Sequence, residues 1–332
     1  MTEDRAGGDG RPLPIALLIP GQGAQHPRMA AALYGRVETF TRTMDEAFEL
    51  MGPQGEAVRA EWLAERPSSS FDDVTVAQPL LYAVGYALAR TLTGWCGRPD
   101  ALLGHSAGEL VAATVAGVFG FADGMRLMTT RMPDLAATEP GGMLAVAAPA
   151  DELAPLLGGD VHLAAVNGPR QVLLSGAAEP LARAAAALEE AGVTCKRVPA
   201  HQAFHSPLMA AASERAGEKW TGVALAPPRI PLYSAYDVGP LDPGRACDRS
   251  FWIGQPARTV HFAAALDRLL SDGDYLLVET GPGQGLTMLA RRHPAVLAGR
   301  SQVIGLMPDR RRGDDSERDA VRRASGRVLA GR

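Results

Sequence analysis

Short apolar runs that stop at glycine or proline alternate along this chain with longer stretches whose apolar residues recur every three or four positions. The first run, Pro14–Ile19, reads as a strand buried on both faces of a parallel sheet, and the loop Pro20-Gly21-Gln22-Gly23 follows at once. Helical periodicity predicts helices over about Pro27–Leu50 and Gln78–Leu92. A second strand, Ala101–Leu103, leads into Gly104-His105-Ser106-Ala107-Gly108-Glu109, after which an alanine-rich helix continues to about Gly117. Strand, tight glycine turn and helix in succession is the rhythm of an α/β domain.

The middle third changes character. Met143–Ala148 reads as a strand, Asp151–Leu157 as a short helix, and Val161–Val166 and Gln171–Ser175 as two strands joined by the turn Asn167-Gly168-Pro169-Arg170. A helix over Ala178–Ala191 ends at Gly192, and a last strand covers Thr194–Pro199. The order β-α-β-β-α-β is the ferredoxin-like split arrangement. Strands at Ile230–Tyr233 and Tyr275–Glu279 then resume the first pattern, the latter running into the loop Thr280-Gly281-Pro282-Gly283. The predicted architecture is therefore α/β: a large α/β part over 13–139 and 201–308, with a ferredoxin-like part, 140–200, inserted in it. Residues 1–12, polar and glycine-rich, are predicted to be disordered. Residues 309–332 are predicted to form a charged terminal helix or tail, in which Ser316-x-x-Asp319 resembles a capping box and Val321, Ala324, Val328 and Leu329 sit at helical spacing.

Composition narrows the function class. With 46% hydrophobic and 21% charged residues and a net charge of −4 over 332 residues, the chain has the balance of a globular protein and no basic signature of a nucleic-acid binder. The longest uncharged stretch, Val74–Ala89, contains Gln78 and Pro79 and falls short of the roughly 20 apolar residues of a membrane span. No secretory signal precedes the first strand. Three widely spaced cysteines, Cys96, Cys195 and Cys247, form no metal-binding pattern and fit a reducing compartment. The expected location is the cytoplasm, with no membrane association and no bound metal.

The chemistry concentrates at Gly104-His105-Ser106-Ala107-Gly108, a G-x-S-x-G sequence between a strand and a helix. There a sharp turn exposes a serine hydroxyl and aims the next amide at the same point, making Ser106 a candidate nucleophile. Serine needs a base. His201 and His205 lie where the inserted block returns to the main part, a usual place for a cleft, and spacing alone does not choose between them. The Gly21-Gln22-Gly23 loop after the first strand brings a second amide within reach of an oxyanion, although such a loop also suits a phosphate. It lacks the patterns of a dinucleotide fold or a P-loop. An α/β-hydrolase would run serine, acid, histidine, with the histidine late in the chain; here the best histidines are central, which argues against a simple hydrolase.

Taken together these motifs resemble the malonyl-CoA:acyl-carrier-protein transacylases and the acyltransferase domains of polyketide synthases. Pro20-Gly21-Gln22-Gly23-Ala24-Gln25 resembles their GQGxQ signature, Gly104–Glu109 their GHSxGE motif, and Phe204-His205-Ser206-Pro207-Leu208-Met209 the segment carrying their histidine. Ala77-Gln78-Pro79, Asn167-Gly168-Pro169 and Glu279–Gly283 agree as well, in the family's order. The resemblance implies an α/β-hydrolase-like large part with a ferredoxin-like insert. It implies Ser106 as nucleophile, His205 rather than His201 as base, and the amides of Gln22 and Ala107 as oxyanion donors. A backbone carbonyl near Ser234-Ala235-Tyr236, that of Ala235, is expected to orient the histidine. Arg131 is expected to grip an acyl carboxylate, a task suited to its planar fork, with Gln78, His105 and Phe204 beside it.

The implied reaction takes an acyl group, foremost malonyl, from acyl-CoA to the phosphopantetheine thiol of an acyl carrier protein, with no bound cofactor, in polyketide or fatty-acid biosynthesis. Carrier-to-carrier transfer of another acyl group and thioester hydrolysis are the alternatives. Met132-Pro133 after Arg131, Ala107 where leucine or glutamine is common, and Gln202 where malonyl-type members often have histidine all depart from the family pattern. The length suggests a discrete, monomeric enzyme. Arg291-Arg292 and Arg310–Arg312 are candidates for meeting an acidic carrier.

Overall fold

The computed structural model describes residues 12–309 and 313–330. The predicted disorder of 1–12, apart from residue 12, and the Arg310–Arg312 cluster thus lie outside the described residues. Among the described residues ten strands form two sheets. In the large sheet the order is β10-β9-β1-β2-β7-β8, made of β1 (Ile15–Ile19), β2 (Ala101–Gly104), β7 (Leu232–Ser234), β8 (Gly239–Pro240), β9 (Leu276–Glu279) and β10 (Gln302–Gly305). Its pairings are parallel except that of β7 with β8. Every residue of β1, β2 and β9 is buried, which is why these strands read as unbroken apolar runs.

The second sheet is antiparallel, in the order β4-β5-β3-β6, from β3 (Gly141–Val146), β4 (Val161–Gly168), β5 (Gln171–Ala177) and β6 (Cys195–Val198). With a 3-10 helix at Asp151–Leu156 and an α-helix at Ala178–Glu190, it has the ferredoxin-like order predicted from sequence. It has its own apolar core, in which Leu144, Val172 and Leu174 meet Leu181 and Leu188 of that helix. The insert is joined to the large part by a short parallel ladder: the Val260 amide donates to the Ala164 carbonyl and the Val166 amide to the Val260 carbonyl. The α/β fold class stands: an α/β-hydrolase-like sheet with a ferredoxin-like insert.

Several elements differ from the sequence reading. The helix predicted from Pro27 begins only at Glu38, because Arg28 and Ala30 adopt positive φ and the chain turns through a 3-10 segment, Ala31–Leu33. The helix around Gln78 is longer than predicted, Val74–Cys96, and starts where the Asp73 carboxylate caps the Thr75 amide. The tail forms a helix over Asp314–Ala330, so Ser316 lies inside its first turn and is no cap. Val321, Ala324 and Val328 face the core as expected, whereas Leu329 is 53% exposed, one step round the helix. Among the described residues, no helix is long and apolar enough to cross a membrane.

Candidate active site

Parallel pairing of β1 with β2 sets Ile19 beside Gly104, so the loops leaving both strands emerge together at the carboxyl edge of the sheet. Ser106 occupies the turn after β2 with φ of 54°, left-handed backbone that a non-glycine residue holds only under local constraint. The flanking glycines explain that constraint. A Cβ on Gly104 would lie 2.3 Å from the Glu109 backbone, and one on Gly108 would lie 2.1 Å from the Ile19 carbonyl oxygen. Gly21 packs just as closely, its would-be Cβ 2.6 Å from the His105 carbonyl and 3.3 Å from the Ala107 amide nitrogen. The Gln22 loop is thereby pressed against the serine turn. Among the described residues neither the Gln22 nor the Ala107 backbone N–H has a backbone acceptor.

His205 reaches the serine from the other side. It too has positive φ, 63°, its amide donates to the Pro256 carbonyl at 2.6 Å, and its Nε2 lies 2.7 Å from Ser106 Oγ. Its Nδ1 meets the Arg258 carbonyl oxygen at 3.1 Å. A carbonyl only accepts, so Nδ1 carries the proton and Nε2 is the acceptor facing the hydroxyl. Burial holds the His205 pKa down, to about 4, with His105 nearby adding to the effect. This corrects the expected orienting carbonyl: that of Ala235 accepts from the His261 amide at 2.7 Å and is already engaged. His201 is exposed.

Gln78, Ser106, Ala107, Arg131, Phe204 and His205 line one narrow cavity of about 20 Å³, completed by Leu110, Leu135, Tyr236, Gln255 and Pro256. Arg131 stands at the joint between helices Phe121–Thr130 and Met132–Ala136, where Pro133 opens the second helix, so the departure from the family pattern marks a real break. The arginine is 5% exposed. One guanidinium nitrogen touches the Met128 sulfur at 3.4 Å, Nε has no partner, and no carboxylate pairs with it among the described residues. Burial pulls its pKa down to about 10, still well above neutral pH. A cation buried beside a serine without an acid of its own is set to receive an anionic group.

Gln78 donates from Nε2 to Gln22 Oε1 at 3.0 Å, tying the long helix to the oxyanion loop. Of the sequence-predicted residues, His105 and Gln22 are not in the narrow cavity. They line a wider cleft of about 450 Å³ between the two sheets, which also includes Asn167, Lys196, Glu279 and Met288. His105 Nε2 is 2.7 Å from Asn167 Oδ1 on the insert. Sequence reasoning missed the Tyr236 side chain, Gln255 and the Arg258 carbonyl. The segment 255–258 bears no glycine turn or nucleophile signature, so only its position in space marks it.

A family model described as the acyl transferase domain matches residues 17–321. The chain is 33% identical over 288 residues to spectinabilin polyketide synthase system protein NorB of Streptomyces orinoci, covering 83% of this chain and 13% of that protein. It is 34% identical over 303 residues to polyketide synthase GfsB of Streptomyces halstedii, covering 90% of this chain and 5% of that protein. The chain therefore spans less than a fifth of the length of these relatives. Among solved structures, it is similar to the acyl transferase domain of SpnD in complex with 2-(pent-4-yn-1-yl)malonyl, with 32% identity and a TM-score of 0.88 over 97% of this chain and 77% of that one. It also resembles a loading acyltransferase from the avermectin modular polyketide synthase, with 30% identity and a TM-score of 0.84 over 95% of this chain and 99% of that one. FabD from Acinetobacter baumannii, at 24% identity and a TM-score of 0.83 over 97% of this chain and all of that one, shares the fold. This chain belongs to the acyl transferase domain family and is an acyltransferase.

Proposed function

We propose that the protein carries a small carboxylated acyl group, malonyl foremost, on Ser106, from acyl-CoA to the phosphopantetheine thiol of an acyl carrier protein. The observation that carries this reading is the 2.7 Å Ser106–His205 pair sharing a narrow cavity with Arg131, which is buried and, among the described residues, has no carboxylate partner. Ser106 Oγ attacks the thioester carbonyl as its proton passes to His205 Nε2. The carbon–sulfur bond then breaks, and the proton leaves with the CoA thiol. In the second half the carrier's thiol gives its proton to His205, attacks the acyl-serine and restores the hydroxyl. The Gln22 and Ala107 amides hold the oxyanion in both halves. Serine, histidine and two amides complete the chemistry without a bound cofactor.

Arg131 supports the carboxylated substrate, since a buried guanidinium without a carboxylate partner among the described residues gains most from an acyl carboxylate. The tight space beside the buried Phe204 ring favours a short acyl group over a branched one. That the SpnD domain is similar and was solved with a C2-substituted malonyl group supports a carboxylated acyl group; the preference for an unbranched one rests on the space beside Phe204. The cleft containing Gln22 and His105 suits a pantetheine arm, and the exposed pair Arg291-Arg292 is a proposed contact for an acidic carrier.

The test is to offer a panel of acyl-CoAs and acyl carrier proteins and follow the covalent mass on Ser106. Malonyl should load, and Arg131→Ala should slow its loading about 10- to 100-fold while leaving acetyl loading unchanged. No adduct from any thioester donor would refute the reading. Adducts that decay in water as fast as in the presence of a carrier would make the protein a thioester hydrolase.

A further inference from the structure

We propose that Arg258 is a positioning residue for His205, held to that task by its ion pair with Asp237. The inference rests on His205 acting as the base for Ser106 and adds what keeps it in place. Both the main chain and the ring of His205 hang on one short segment. The His205 amide donates to the Pro256 carbonyl at 2.6 Å, and Nδ1–H donates to the Arg258 carbonyl at 3.1 Å. The turn closes on itself through the Arg258 amide and the Gln255 carbonyl, 3.1 Å apart.

That segment is clamped from two sides. On the buried side Gln255 Nε2 reaches Glu109 Oε1 at 3.3 Å, and Glu109 Oε2 accepts from the Ala235 amide at 3.0 Å. Glu109 lies on the helix that follows Ser106, so nucleophile and base share this support. On the outer side Arg258 Nη2 donates to Asp237 Oδ1 at 2.7 Å and to the Tyr236 carbonyl at 3.1 Å. Its guanidinium also lies 5.7 Å from the Tyr236 ring centroid and 5.8 Å from that of Phe251. Asp237 is in turn held by Arg245 Nε at 3.1 Å, and its amide donates to Ser234 Oγ at 3.3 Å.

A peptide carbonyl points where its residue's backbone angles send it. Pinning the Arg258 side chain at several points therefore pins the oxygen that selects the His205 tautomer. With the outer side of the clamp gone, the carbonyl gains freedom to turn away from Nδ1, and the hold on the proton there weakens. Arg258 does not line the Ser106 cavity, so it acts through His205 rather than on substrate. The pair is about a third exposed, 36% and 32%, and such pairs contribute little to stability. That separates a positioning role from a merely structural one.

The experiment needs no knowledge of the acyl group. Phenylmethanesulfonyl fluoride forms a sulfonate ester on an activated serine with loss of fluoride, and the rate is read from the mass of Ser106. Arg258→Met and Asp237→Asn should each slow sulfonylation about tenfold or more at an unchanged melting temperature, with Arg258→Lys recovering part of the rate. In a His205→Ala background the same substitutions should change nothing. By proton NMR of the free protein, the low-field Nδ1–H resonance of His205 should broaden or vanish in both variants. An equal slowing in the His205→Ala background, or an unchanged rate and resonance, would overturn the proposal. If Arg258→Met does not fold, Asp237→Asn, which keeps an acceptor oxygen, carries the same comparison. A wild-type protein that is sulfonylated yet accepts no acyl group from any thioester refutes acyl transfer and leaves this test standing.

Discussion

At the residue scale, Ser106 and His205 are both held in left-handed backbone, and each is strained for the same purpose: to present a side chain at the sheet edge. Such conformations cost a non-glycine residue of order 1 kcal/mol. Ser106→Gly should therefore abolish the covalent adduct while raising stability by about 1 kcal/mol, as read from urea melts. Burial of His205 decides the pH response. The base works neutral, and burial disfavours the imidazolium, so acylation should stay level from pH 8 to about 5 and fall about tenfold per unit below its pKa of about 4. The linked stability has a definite sign. An unfolded imidazole titrates near 6.5. The neutral buried ring therefore contributes stability that is present above that pH and lost as pH falls toward 4. Ser106 was legible in the sequence because the two glycines that let the chain pass so closely stand two residues either side of it. Their contacts are near in the chain for Gly104 with Glu109 and distant for Gly108 with Ile19. The Arg258 carbonyl was not, since any residue supplies a carbonyl and only the fold sets which one meets Nδ1.

At the scale of elements, strands buried on both faces were the most readable parts, because burial on both sides leaves only apolar side chains. Segments controlled by backbone angles were the least readable: nothing in the composition of 27–37 marks positive φ at Arg28 and Ala30, yet those two angles delay the helix to Glu38. The Glu279–Gly283 motif shows a similar split. Its letters were recognised, but its mechanics emerge only in space, where Glu279 accepts from the amides of Leu286 and Thr287 at 3.1 and 2.7 Å. It thereby caps the short helix that lines the cleft. Glu279→Ala should cost about 1–2 kcal/mol in denaturant melts, the usual cost of a lost cap.

At the scale of the whole molecule, two junctions hold the parts together. The insert docks through the ladder between 164–166 and Val260, two residues beyond Arg258, so the cleft wall and the His205 support are built on one stretch of chain. The terminal helix docks by packing Val321, Ala324 and Val328 on the core, and none of these lines the Ser106 cavity. On the same helix Glu317, 1% exposed, accepts from the amides of Ala30 and Ala32 at 3.1 and 3.2 Å. Removing that carboxylate leaves two buried amides without this acceptor. Glu317→Ala should thus destabilise the fold by about 2 kcal/mol in calorimetry or urea melts, without changing the pH dependence of Ser106 acylation.

By itself the sequence determined the alternation of elements, the ferredoxin-like insert and the serine turn, because periodicity and the glycine spacing around Ser106 are written along the chain. The tertiary structure alone decided which carbonyl meets His205, that Arg131 is buried with no carboxylate partner among the described residues, and that His105 lines the wider cleft instead of the narrow cavity. Each of those outcomes depends on groups far apart in sequence competing for the same hydrogen-bond partner or the same enclosed space, and no local pattern records who wins.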